Sequence, residues 1–465
     1  MAAEVHPESP SNKCPILNDD VLLNILSFCD ISTVIAISET SRHLYTVASA
    51  REVWRVLLDE LHRRNFVDLE PGKRLEDLTQ SELVDLARRT VLGPPSFSFE
   101  SGKDGLKLAR QIILKQEVHH GPGILDWENE TLLLPRSNYV LFRHLEFDCI
   151  DVARDKLIWR YTGPCNHYKV QAFTAKLVDD GRAAIIAVGI RTYEEYRQNL
   201  VEVLRLDLTT GSSTTLVLRT APNTEHDNPF NRLRINGDFV VASLGSTNPY
   251  DIFVLRVSTG RCRSLHVPMD ELDIDVLPGH LITLRSGNQP NTLTLAIFEL
   301  LTLVQDDART DTEQIMPVIS ETIDVARAPN PKFRISCHLS PLYVDSSRLW
   351  ILISAGPRPP AEPPSTILCK YHVSHFPGYA ISIRSKARWE HAGVIFPLPL
   401  GSSEISYAGW VETYYGGQHL YSLASNEPCV KNLDLPGRGD LTHLSPYSCA
   451  ITYYQYDTIV MHYYE

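Results

Sequence analysis

The sequence predicts a chain in two parts, a small α-helical module followed by an all-β region arranged as a β-propeller of about six or seven blades. Three observations carry that expectation. Apolar residues recur at helical spacing up to Gly93-Pro94-Pro95 and alternate in short runs beyond it. The β part, from about residue 96 to 465, is long for one sandwich and ample for a ring of blades. Within it, strand-and-turn units recur loosely at about 40–50 residues. A pair of β-sandwiches is the competing all-β arrangement.

The helices come first. Asn18 can cap a helix through Ser27 whose Val21, Leu22, Ile25 and Leu26 share one face, with Asp19 and Asp20 at the positive end of its dipole. Ser32 is the cap expected for a second helix carrying Val34, Ile35 and Ile37, and Thr40 or Ser41 for a third carrying Leu44, Val47 and Ala48. Ser49-Ala50-Arg51-Glu52 and Thr79-Gln80-Ser81-Glu82 read as capping boxes opening two further helices. The first of these holds Val53, Trp54, Leu57, Leu58 and Leu61, and the second Leu83, Leu86 and Ala87.

In the β part, residues 203–211 and 253–260 are alternating strands that each end in Thr-Gly. Residues 235–241 and 277–283 each place a glycine turn before an apolar strand. An earlier unit reads 139–142, 145–152 and 156–159. This recurrence is the mark of propeller blades, interrupted by longer stretches at 306–331 and 356–364.

Composition excludes several function classes. Lysine and arginine number 44 against 56 acidic residues, a net charge of −12, which provides no general positive field for nucleic acid or an anionic membrane. The nine cysteines stand apart without a CxxC pair, so neither a disulfide framework nor a zinc ribbon is written. The first residues hold no apolar core of a secretory signal, and the small-and-apolar run 183–190 is far short of a membrane span. The sequon at Asn129-Glu130-Thr131 reads as chance in a soluble intracellular chain.

Catalytic and cofactor signatures are equally scarce. The sequence has no GxxxxGK[ST], GxSxG or HExxH, and Gly437-Arg438-Gly439 lacks the further glycine and the preceding strand of a dinucleotide site. Cys369, His372 and His375 would alternate across a strand and so do not converge on a metal. His119-His120 reads as a turn flank; Cys165 with His167, and Cys337 with His338, lack a placed third group. The late tyrosines 453, 454, 456, 463 and 464 read as strand packing. No catalytic, cofactor-binding or metal-binding residue is expected, and the chain is not expected to be an enzyme.

The helices of residues 15–55 hold more large apolar side chains than three short helices can bury among themselves, including Val21, Leu22, Ile25, Leu26, Phe28, Ile31, Val34, Ile35, Ile37 and Trp54. The surplus predicts a partner or a docked second domain. The series 16–31, then Val34, Ile37-Ser38, Ser41-Arg42-His43-Leu44-Tyr45 and Glu52-Val53-Trp54-Arg55, resembles the F-box. Asn18 stands where that family usually has proline, and Cys29 where it has an aliphatic residue. The stretch from 127–130 through 150–153, and the closing 447–453, are similar to those of fungal F-box proteins with a propeller-like C-terminal region.

The resemblance implies a disordered tail at 1–14, an F-box at 15–57, a helical linker at 58–95 and a propeller-like recognition domain at 96–465. It also implies a substrate receptor of an SCF-type cullin–RING ubiquitin ligase, located in the cytoplasm, the nucleus or both. The F-box would bind a Skp-type adaptor, and the propeller an unidentified target protein. Carried over residue by residue, the adaptor-facing set is Leu17, Val21, Leu22, Ile25, Leu26, Ile31, Val34, Ile37 and Ser38, with Trp54 assigned to internal packing. The stretches 191–197 and 356–364 are candidate target-binding loops. The competing function is a stand-alone propeller, a scaffold or ligand-binding protein, with the helices as a cap.

Overall fold

In the computed structural model, the residues described are 17–67, 69, 73–92, 107–115, 130–136, 138–144, 146–193, 197–222, 228–245, 250–267, 272–287, 289, 291–305, 316–325, 332–340, 345–355, 365–375, 381–392, 418–422, 429–433, 443–444, 450–455 and 458–464. The chain divides into two compact units. The first holds residues up to Glu60 together with Arg74–Ala87, and the second holds Leu61–Lys73 and everything from Arg88 onward.

The first unit is built from α1 (Asp19–Ser27), α2 (Ile31–Ser38), α3 (Arg42–Ala48), most of α4 (Arg51–Arg63) and most of α5 (Gln80–Leu92). Both α1 and α2 pack on α3. Arg51 ties α4 to the segment before α5 by donating to the carbonyls of Glu76 (2.9 Å) and Leu78 (3.2 Å).

Among the described residues, the second unit's strands form six four-stranded antiparallel sheets and one two-stranded sheet. Blades 1 to 5 are four-strand meanders over 130–160, 168–221, 230–267, 272–324 and 332–392. Blade 6 is represented by Gln418–Ser422 and Cys429–Leu433. Blade 7 joins His443–Leu444, Ala450–Gln455 and Thr458–Tyr464 to a strand from far upstream, Leu108–Leu114, with Leu114 opposite Ile459 and Gln111 opposite His462. That pairing of the region's first strand with its last closes the sheets into a ring and abolishes the open ends a sandwich pair would have. The architecture is a β-propeller, and the described residues form seven sheets, in line with the upper of the two expected values.

Period-two alternation explains the core. In Phe239–Leu244, Val240 joins the apolar cluster between blades 2 and 3, with Val203 and Phe253. Its neighbour Val241 joins the cluster between blades 3 and 4, with Ile274 and Leu281. A six-residue helix, α6 (Leu300–Gln305), was not foreseen; it adds Leu300, Leu303 and Val304 to that second seam.

The first strands of neighbouring blades touch one another, so they line the channel. Arg232 Nε donates to Asp273 Oδ1 (3.0 Å) and Arg234 Nε to Asp275 Oδ1 (3.2 Å), from blade 3 to blade 4. Asp273 Oδ2 and Asp275 Oδ2 then accept the backbone N–H groups of Ile335 (2.8 Å) and Cys337 (2.7 Å) in blade 5. Numbers rise together on the three strands, so the inner strands run parallel. An innermost strand has one sheet neighbour, and alternate N–H groups on its free edge lack a ladder partner. Asp273 and Asp275 cap two of them.

Candidate functional site

The helices of the first unit begin where local chemistry allows. Asn18 caps α1 through Oδ1, 3.4 Å from Asp20 N, and so replaces a proline without losing the helix start. The cap of α2 is Asp30, not the expected Ser32. Its carboxylate accepts both Thr33 N (2.9 Å) and Thr33 Oγ1 (2.8 Å). A charged acceptor with two donors outcompetes a single hydroxyl. Ser41 caps α3 by accepting from Leu44 N at 3.2 Å. Thr79 and Glu82 form the reciprocal box foreseen for α5, with Glu82 N to Thr79 Oγ1 at 3.3 Å and Thr79 N to Glu82 Oε2 at 2.7 Å.

The structure sorts the nine candidate residues into three groups. Leu17, Val21 and Ile25 are exposed, the last two by 45% each. Leu22, Ile37 and Ser38 are half-buried, with Ser38 Oγ donating to Ile35 O at 2.6 Å. Leu26, Ile31 and Val34 are buried, Val34 completely, so in this conformation they support the face from beneath and do not present it.

Two exposed aromatic residues lie outside the candidate set. Phe28 is 86% exposed, and Tyr45 is also exposed. The spacing of Val21, Ile25 and Phe28, at i, i+4 and i+7, places them on one stripe of α1 and its cap, a signal present in the sequence. An exposed apolar stripe of this kind is suited to burying itself against a partner protein.

The remaining chemical candidates are occupied structurally. Cys369 is buried in the seam of blades 4 and 5, whereas His375 Nε2 lies 2.9 Å from Ser347 Oγ. Cys165 Sγ contacts His167 O at 3.5 Å. Burial and the nearby Asp275 push the Cys337 thiol well up, and burial with Asp148 and Asp151 does the same for Cys149, so neither is a ready thiolate. Tyr454 stacks on Phe142 at 5.2 Å between blades 7 and 1, and Tyr453 is buried. His119, His120, Tyr456 and the stretch 356–364 lie outside the described residues.

Arg191 was expected in an exposed loop; it lies within the strand Ala183–Thr192, is buried, and donates to Asn199 Oδ1 at 2.6 Å. Its partner stands eight residues on, opposite it in the next strand, a pairing the local pattern does not display. His144, Glu146 and Asp148 converge closely enough to suggest a cation site that sequence reading missed. Arg160 already fills it: Nε and Nη2 fork onto Asp148 at 2.9 and 3.0 Å, and Nη1 reaches Glu146 at 2.6 Å. Burial pushes the Asp148 carboxyl up, but hydrogen bonds from His144 and Arg160 outweigh it and hold the group below the usual carboxylate range.

Residues 15–56 match the F-box domain. The exposed stripe therefore belongs to an F-box, and among the described residues no helix of the chain is long and apolar enough to cross a membrane. No curated protein matches the sequence. Among solved structures, the chain is similar to the β-propeller domain of Cps50 (Swd1) from Myceliophteria thermophila, at 9% identity and a TM-score of 0.45, covering 74% of this chain and 98% of that one. It is also similar to the WD40 domain of SCAP from fission yeast, at 8% identity and 0.41, covering 77% and 95%. At these scores the likeness carries no argument; the propeller rests on its own strand order and ring closure. The chain thus combines an F-box with a β-propeller.

Proposed function

We propose that the chain is the substrate-recognition subunit of an SCF-type cullin–RING ubiquitin ligase, working in the cytoplasm, the nucleus or both. The F-box, taken as residues 15–57, binds a Skp-type adaptor that links it to the cullin core. The propeller, within residues 96–465, binds a target protein. The observation that carries this reading is the stripe Val21, Ile25 and Phe28, left in water by the F-box's own helices. Leu17, Leu22, Ile37 and Ser38 complete the contacting set, with Leu26, Ile31 and Val34 holding it from below. The chain contributes proximity and no chemistry of its own: holding the target beside the ligase raises its effective concentration at the transfer site.

The test is co-purification of the full chain with a Skp-type adaptor, beside Val21→Asp/Ile25→Asp. Both positions are exposed, so the change alters the face and spares the core. Stoichiometric adaptor with the natural chain and none with the double variant is the expected outcome. Equal recovery with both would remove the proposal, and absence from both would favour the helices as a structural cap.

A further inference from the structure

The end of α4 and the residues after it do a separate job, independent of what the F-box binds. Asn65 takes the left-handed backbone conformation (φ 63°) that asparagine tolerates better than most residues. Its N–H donates to His62 O at 3.0 Å, and the N–H of Phe66 donates to Leu61 O at 2.9 Å. This pair of bonds is the Schellman helix end, and it folds Phe66 back toward Leu61. Leu61, Phe66 and Val67 are all buried, Val67 completely. Residues 61–67 belong to the second unit.

Their anchors come from widely separated blades. Arg136, in the turn after the inner strand of blade 1, donates from Nη2 to His62 O (3.0 Å) and from Nε to Asn65 Oδ1 (3.1 Å). Its Nη1 also donates to Asp180 O, in the corresponding turn of blade 2. Arg64 Nη2 donates to Ser340 O at 2.7 Å, immediately after the inner strand of blade 5, while its guanidinium lies 4.6 Å over the Phe66 ring. Because the inner strands run parallel, the turns that follow them share one rim of the ring. Blades 1 and 5 are not neighbours: blades 6 and 7 separate them one way, blades 2 to 4 the other. Adjacent residues reaching both must therefore lie across the channel mouth.

We propose that residues 61–67 are a plug that closes one mouth of the propeller channel, so that any partner entering the channel does so from the rim where the inner strands begin. The plug also assigns part of the segment between the F-box and the ring to the ring itself. The fold of the propeller then depends on a peptide encoded before its first strand.

Hydrogen exchange by mass spectrometry on the full chain tests this. In the natural chain, amides of 61–67 are expected to be protected like those of the blade cores. Arg64→Ala and, separately, Arg136→Ala should speed their exchange by at least about tenfold while leaving 21–47 unchanged. A second readout uses Ser340→Cys, since Ser340 is wholly buried. Peptide-resolved alkylation at that position should be slow alone and fast when combined with Arg64→Ala. Free exchange of 61–67 in the natural chain, or no change in the arginine variants, would overturn the proposal. Phe66→Ala is the harsher variant, and if it fails to fold, the arginine variants decide.

Discussion

Asp273→Ala removes one side chain from the inner rim and separates three blades. Asp273 is almost fully buried (1% exposed), accepts Arg232 Nε at 3.0 Å, and caps the N–H of Ile335 at 2.8 Å. Removing one member of a buried pair costs about 3–5 kcal/mol, and an orphaned buried N–H about 1–3 kcal/mol. The two overlap, because one carboxylate serves both, and Arg232 retains some contact with water. The net expectation is therefore about 3 kcal/mol for alanine. Asparagine keeps one acceptor oxygen for Ile335, so about 1–2 kcal/mol is expected there. Exchange at the Ile335 amide reports the opening directly, and 3 kcal/mol corresponds to an increase of roughly a hundredfold. Amides within blade 2, such as Val203, should stay unaffected. A change below about threefold in the alanine variant would refute the view that Asp273 joins the blades.

Other predictions follow from single contacts. Leu26→Asp should unfold the F-box helices, unlike Val21→Asp/Ile25→Asp, because Leu26 is buried; circular dichroism of the pair separates core from face. Asp30→Ala should lower stability by about 1 kcal/mol through loss of the α2 cap, read from the F-box melting transition. Gly211→Ala should destabilise the ring measurably in thermal melts. Gly211 has φ +72°, and an added Cβ would stand 2.1 Å from Ile158 O. Asp148 is held below its ordinary pKa, so its stabilising contribution is present above the unfolded value near ~3.9 and lost as pH falls through the folded one. Asp148→Asn should flatten the loss of stability below about pH 4, measured by urea midpoints across that range.

Much of the fold was legible because local chemistry and tertiary role coincide. The two Thr-Gly echoes occupy equivalent third-to-fourth-strand turns, with Gly211 and Gly260 both at positive φ. The two glycine turns at Gly237 and Gly279 both join first to second strands, again at positive φ. What the sequence concealed depended on distant partners. Leu26, Ile31 and Val34 share the apolar character of Val21 and Ile25, and periodicity does not say which side α3 covers. Phe66 and Val67 fall within the stretch read as a helical linker, 58–95. They are buried through anchors at Arg136 and Ser340, separated from the helix end by up to 276 positions along the chain. Ser32 was the expected cap of α2, and Asp30 takes the position because its carboxylate accepts from both Thr33 N and Thr33 Oγ1.

The buried acids explain how a ring with many carboxylates supports an interaction role. Asp148, Asp151, Glu202, Asp273 and Asp275 are the buried acidic side chains among the described residues, and each serves the frame. Asp148 takes the fork of Arg160, and Asp151 accepts Arg154 N at 2.9 Å. Glu202 accepts the hydroxyls of Tyr161 and Thr215, and Asp273 and Asp275 span blades 3 to 5. A general acid or base must exchange its proton with a substrate, which a carboxylate committed to two or three fixed donors does poorly. The same commitment is useful to a receptor. Binding is weakened by whatever order the free protein still has to acquire, so a ring stitched internally presents its loops at lower entropic cost. On that reasoning the buried charge holds the blades still, and under the proposed receptor role recognition would fall to the exposed surfaces of the F-box and of the ring.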